Sequence, residues 1–261
     1  MNMNRLQKLF SEKSKNLLSV YFTAGFPELD STVPVINELS SRGVDMIEIG
    51  VPFSDPMADG PTIQSSSTVA LRNGISLRRI LNDVAEARNT VRETPLVLMG
   101  YLNPFIQFGI EKLFEKCAEA GIDAMIIPDL PFKEYMESVK PLCDRYDIPV
   151  IMLITPETSE ERIRMIDDNC SGFIYMVSSA STTGTRDKFS NRQIEYFESV
   201  NKLMLKNPRL IGFGISNKAT LTSAHENASG AIVGSLFIKC LEKKGSRYSE
   251  AVDMLLDTLK K

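Results

Sequence analysis

The chain has 261 residues, 43% hydrophobic and 24% charged, a balance that supports a large buried core and excludes a disordered chain. Lys and Arg together number 30 against 33 Asp and Glu, and a net charge of −3 excludes general attraction to nucleic acid or to an anionic membrane surface. No apolar run approaches the ~18 residues of a membrane span, and the N-terminal M-N-M-N-R-L-Q-K-L-F lacks the apolar core of a secretory signal, so the expectation is a cytoplasmic protein.

Residues 5–15 read as a short leading helix and 17–23 as a compact strand ending at Ala24-Gly25. Helical periodicity through Val35, Ile36 and Leu39 predicts a helix over 31–42, stopped by Gly43. A second strand covers 46–49, followed by an acidic loop and helices over 62–73 and 77–92. The alternation continues with a strand at 96–99 and helix at 109–120, a strand at 124–127 and helix at 134–145, and a strand at 150–154. Thr158 or Ser159 then caps a helix over 160–168. Strands at 173–177, 210–213 and 231–233 follow, with helices at 191–205 and 218–226 between them and an amphipathic tail helix at 249–259. Short strands that do not alternate, each followed by a helix, predict an α/β fold. The count matches a single (β/α)8 TIM barrel over 1–261, with a short N-terminal helix and extra helices in the βα loops. An open doubly wound sheet fits less well, because no G-x-G-x-x-G turn follows the first strand.

Cys117, Cys143, Cys170 and Cys240 are scattered singly and are read as reduced packing residues. The one histidine, His225, is read as a solvated helix residue, and no metal site is expected.

Glu48 is the residue out of place. It stands in the apolar run Met46-Ile47-Glu48-Ile49, and an unpaired ion buried there costs several kcal/mol. Such an acid has a partner, takes up a proton, or sits where the strand opens into a site. The loop after it holds Asp55 and Asp59 among prolines and glycines; Asp55 reads as a loop brace beside Pro56, and Asp59 either as a turn former with Gly60 or as a site residue. In a TIM barrel the C-terminal strand ends form the active face. That order gathers Glu48 and Asp59 with Phe22 at the end of the first strand, Tyr101 after the third, Asp129 after the fourth and Tyr175 on the sixth. As residues alone, the two tyrosines are equally well read as core packing. Gly184, Gly214 and Gly234-Ser235 follow the last three strands, where backbone amides and a helix N-terminus can hold a phosphate.

The run E-I-G-V-P-F-S-D-P-M-A-D-G-P at 48–61 has Y-F-T-A-G-F-P before it and L-M-G-Y-L-N-P, P-D-L-P, G-F-G-I-S and V-G-S after it. In this order they closely resemble the tryptophan synthase α subunits. The resemblance implies retro-aldol cleavage of indole-3-glycerol phosphate to indole and glyceraldehyde 3-phosphate. It implies a β-subunit partner in an α2β2 assembly, with pyridoxal phosphate in that partner and no cofactor in this chain. Carried onto these positions, it makes Glu48 the acid–base residue and Asp59 the carboxylate that holds the indole N–H. Phe22 would pack on the indole ring, Tyr101 and Tyr175 would line the pocket, and Thr183 would orient the catalytic Asp. The phosphate would lie on the amides of Gly184, Gly214, Gly234 and Ser235. Asp129 would support the loop and the subunit contact. One stretch departs: the family's S-R-x-G-V-T-G after the sixth strand is here Ser178-Ser179-Ala180-Ser181-Thr182-Thr183-Gly184. Ser181 in place of glycine restricts left-handed backbone angles, which bears on how the family's loop closes over substrate.

Overall fold

The computed structural model describes residues 3–178 and 188–260. The apolar runs become strands β1 (Leu17–Thr23), β2 (Met46–Gly50), β3 (Leu96–Met99), β4 (Ala124–Ile126), β5 (Val150–Ile154), β6 (Ile174–Val177), β7 (Arg209–Gly212) and β8 (Gly230–Val233). They pair in parallel in sequence order, and β8 returns to β1 to close the barrel. Because successive side chains on a strand face opposite ways, each strand feeds two cores. Met46, Val97, Ile126, Ile151 and Leu210 fill the barrel, whereas Val20, Phe22, Ile47, Ile49 and Leu98 pack under the helices.

The helices are α1 (Arg5–Glu12), α2 (Thr32–Ser41), α3 (Pro61–Arg72), α4 (Leu77–Ala87), α5 (Leu102–Phe108), α6 (Ile110–Ala120), α7 (Phe132–Glu134), α8 (Lys140–Tyr146), α9 (Glu160–Asn169), α10 (Asn191–Asn201), α11 (Lys218–Asn227), α12 (Ser235–Lys244) and α13 (Tyr248–Lys260). None among the described residues is long and apolar enough to cross a membrane. Helix α1 starts at a capping box between Asn4 and Gln7 and sends Leu6 into the barrel core, so it closes the N-terminal end. The four cysteines are buried and free, as packing residues should be.

Several boundaries differ from the sequence reading. Helix α4 ends at Ala87 rather than at 92, because Arg88 leaves the helix and bonds the carbonyls of Val91, Thr94 and Gly121. Helix α5 occupies a stretch for which the sequence pattern predicts no element; Pro104 lies in its first turn, where proline is tolerated. A π-helical stretch, Tyr135–Val139, joins α7 to α8 just ahead of Pro141, which has no N–H to continue an α-helical ladder. His225 is not solvated: it is half-buried with Nε2 3.2 Å from the Leu17 carbonyl, because the end of α11 packs beside the start of β1.

Asp123, just before β4, ties the N-terminal end of the barrel together. It is buried, with Arg5 at 3.0 Å on one oxygen, and Arg88 at 2.5 Å and the Leu96 N–H at 2.8 Å on the other. Burial draws the Arg88 guanidinium down to about 10, and Asp123 opposes that shift. Replacing Asp123 by Asn leaves a buried guanidinium without its counter-charge, and such losses cost about 3–5 kcal/mol. We expect Asp123→Asn to lower unfolding free energy by that order in urea denaturation while the m-value is unchanged.

Candidate active site

A cavity of about 650 Å³ opens at the C-terminal ends of the strands. Its wall combines Tyr21 from β1, Asp59 and Ile63 after β2, Tyr175 on β6, and the turns after β7 and β8. Beneath it lies Glu48. Its strand neighbours alternate in and out of the barrel, and the even parity of Met46, Glu48 and Gly50 faces inward. Glu48 is fully buried; Oε1 accepts a 2.7 Å hydrogen bond from Ser19 Oγ, and Oε2 has no hydrogen-bond partner among the described residues. Burial pushes its carboxyl up to about 7, and the Ser19 bond draws it part-way back. Glu48 itself does not reach the cavity wall.

Asp59 stands in the loop between β2 and α3. Its Oδ2 accepts from the Tyr101 hydroxyl at 3.0 Å, and that hydroxyl in turn accepts from the Ala58 N–H at 3.0 Å. Burial raises the Asp59 carboxyl and the Tyr101 bond opposes it. Tyr101 is braced by Phe53, with ring centroids 5.2 Å apart, and by Asp129, whose Oδ1 accepts from the Leu102 N–H at 2.8 Å at the start of α5. Tyr101 therefore holds Asp59 and does not line the cavity, contrary to its expected place on the pocket wall. Asp55 stays outside the cluster, exposed and bonded to Ser54.

Phe22 is a second correction. It faces the helices, fully buried in the outer core, and Tyr21 takes the cavity position. The signal was present in the strand: Ser19, Tyr21 and Thr23 share one parity and Phe22 has the other. Tyr175 does line the cavity, and packs edge-on to Phe213 with centroids 6.2 Å apart. A side chain at Gly50 would meet the Tyr21 hydroxyl at 2.1 Å, and one at Gly212 the Tyr175 hydroxyl at 2.2 Å, so these two glycines make room for the rings inside the barrel. Both phenols are held above their ordinary range, first by burial and then by the charges of Glu48 and Asp59. The two acids and two tyrosines thus form one electrostatic cluster.

Gly214, Gly234 and Ser235 all border the cavity. Phe213 and Gly214 are both left-handed, with φ of 69° and 79°, an uncommon state for a bulky residue. The Ser178 hydroxyl donates to the Phe213 carbonyl at 2.7 Å and helps hold that turn. Ser235 opens the ten-residue α12, whose N-terminus favours an anion. Thr183, Gly184 and the departing stretch Ser179 to Thr182 lie outside the described residues.

The family model for the tryptophan synthase alpha chain matches residues 6–260. The chain belongs to the tryptophan synthase α chain family. It is 53% identical to the tryptophan synthase alpha chain of Parabacteroides distasonis over 258 residues, covering 99% of this chain and all of that one. The family fold is shared with the Legionella pneumophila alpha chain, at a TM-score of 0.88 and 32% identity, covering 99% and 97% of the two chains. A chain of the Pyrococcus furiosus tryptophan synthase complex superposes with a TM-score of 0.85 at 31% identity, covering 95% of this chain and 99% of that one. Membership makes the chain a lyase-type subunit of tryptophan biosynthesis.

Burial of Glu48 has a measurable consequence for stability. Its folded carboxyl titrates near 7 against 4.5 for the ordinary group, so the native state binds the proton more tightly than the unfolded state. That favourable contribution is present at pH below the ordinary value and is lost as pH rises through 7. Glu48→Gln has no such loss. We expect its stability relative to the parent to climb between pH 4.5 and 7 and then level off, by on the order of 3 kcal/mol, in chemical denaturation at a series of pH values.

Proposed function

We propose that this chain cleaves indole-3-glycerol phosphate to indole and glyceraldehyde 3-phosphate, working beside a tryptophan synthase β subunit. The observation that carries this reading is a buried, proton-retaining Glu48 beneath one cavity at the mouth of the barrel, with a loop carboxylate, Asp59, on that cavity's wall.

The chemistry asks for two differently tuned acids. Breaking the bond between indole C3 and the glycerol carbon requires a proton at C3, which makes the ring a leaving group, and removal of the proton on the adjacent hydroxyl as the carbonyl forms. Glu48, poised near neutrality, suits both transfers: it gives a proton to C3 and takes one from the hydroxyl. The positive charge that appears at the indole nitrogen needs a fixed anion, and Asp59, oriented by Tyr101, meets that need through the N–H. Tyr21 and Tyr175 would flank the ring, and the amides of Gly214, Gly234 and Ser235 would hold the phosphate with Gly184 from beyond the described residues. Glu48 must leave Ser19 for its carboxyl to enter the cavity.

The Pyrococcus furiosus relative comes from a tryptophan synthase complex, which supports a partner subunit for this chain, in the α2β2 form that the family resemblance implies. Pyridoxal phosphate would belong to the β partner, joining indole to serine there. A soluble setting in the cytoplasm fits such a biosynthetic role.

Steady-state indole release, with and without a cognate β subunit, tests reaction and partner together. We expect release to depend on both indole-3-glycerol phosphate and the partner. Glu48→Gln is expected to slow it by several orders of magnitude with the fold intact, and Tyr101→Phe by about 10–100-fold through a loosened Asp59. Near-parental turnover in Glu48→Gln would refute the assignment.

A further inference from the structure

The bond between Ser19 and Glu48 lies in the buried inner wall of the barrel. Ser19 pairs in register with Met46, two residues toward the N-terminal end from Glu48, so the Glu48 side chain reaches back down the barrel to meet it. Both residues are fully buried, on adjacent strands, at 2.7 Å. Above Glu48, the Tyr21 ring extends over β2 to Gly50 and forms the cavity wall in its place. The second oxygen, Oε2, is the one left without a partner among the described residues.

We infer that Ser19 is a positioning residue that anchors the resting carboxyl of Glu48 through Oε1, below the cavity, and leaves Oε2 as the oxygen that exchanges the catalytic proton. A donor on Oε1 favours the ionised form and assigns the proton to the other oxygen. The anchor operates in the free protein and is given up when the carboxyl turns to the substrate. This rests on the acid–base role proposed for Glu48.

The groups facing Glu48 do not compete for this role. Across β2, Val97 on β3 is apolar; Tyr21 on β1 and Tyr175 on β6 keep their protons well above neutral pH, with the charge of Asp59 acting on both phenols. Ser19 is the hydrogen-bond donor that Glu48 has among the described residues.

Ser19→Ala and Ser19→Thr separate the anchor from simple packing. The carboxyl C=O band of Glu48, isolated as the infrared difference between the parent and Glu48→Gln, is titrated first, since it needs no turnover. In Ser19→Ala we expect its midpoint to move up by about one pH unit, and in Ser19→Thr, which keeps the hydroxyl, to return to the parental value. In the assembled complex, the limb of the kcat/KM profile, which reports the free enzyme, should move by the same amount, while the limb of kcat, which reports the substrate complex, should stay in place. An unmoved infrared midpoint in Ser19→Ala overturns the anchor, as does an equal shift of both limbs, which would mean that Ser19 stays with Glu48 throughout. Absence of indole release from the parent complex would sink the lyase reading instead, and the infrared titration would still decide the role of Ser19.

Discussion

A carboxyl on the inner wall of a barrel, with one hydroxyl for company, sets the terms for everything around it. Glu48 cannot ionise freely there, because burial penalises the charge and Ser19 offers one hydrogen bond against it. The result is an acid balanced near neutral pH, a state that solvent exposure would abolish and that a full ion pair would also abolish from the other side. Its rigid strand keeps the cost local, since the β1 to β3 ladder is continuous through that position.

The second acid is tuned by different means. Asp59 belongs to a loop, so its direction has to be imposed from outside. The route runs from Asp129 after β4 to the first N–H of α5, from there to the adjacent Tyr101, and from its hydroxyl to the carboxylate. Tyr101 also receives the Ala58 N–H, so one hydroxyl fixes both the side chain and the backbone of the loop. Burial raises both carboxyls, and one hydroxyl opposes it at each: Ser19 on the strand acid and Tyr101 on the loop acid at the cavity edge.

Space for the site comes from residues with no side chain. Gly50 and Gly212 leave the inner wall open where the Tyr21 and Tyr175 hydroxyls lie, and Gly214 takes the left-handed turn that the end of β7 needs beneath the Ser178 brace. Membership of the tryptophan synthase α chain family accounts for the frame. Ser19 bonds the acid from below, and the Tyr21 ring lies above it on the cavity wall.

Much of this was legible in the order of residues. The spacing of apolar runs and helix stops determined the eight strands and their barrel, because local periodicity and punctuation are written along the chain. The acid in the second strand, Asp59 and the late glycines were visible as residues that packing alone would not choose. Other features depended on which strand lies beside which, and at what register. Phe22 and Tyr21 are both aromatic; the parity of Ser19, Tyr21 and Thr23 separates them, and the pairing of Tyr21 beside Glu48 puts Tyr21 on the site side. Ser19 looks like an ordinary strand residue until the closed barrel sets it against a carboxylate 29 positions away. Tyr101 becomes a support for Asp59 rather than a pocket wall because a loop folds back over it, a contact no local pattern encodes. The sequence by itself determined the chemistry available and the strand order; the tertiary structure decided which side chains meet, since parity and register are properties of neighbouring strands and not of any one of them.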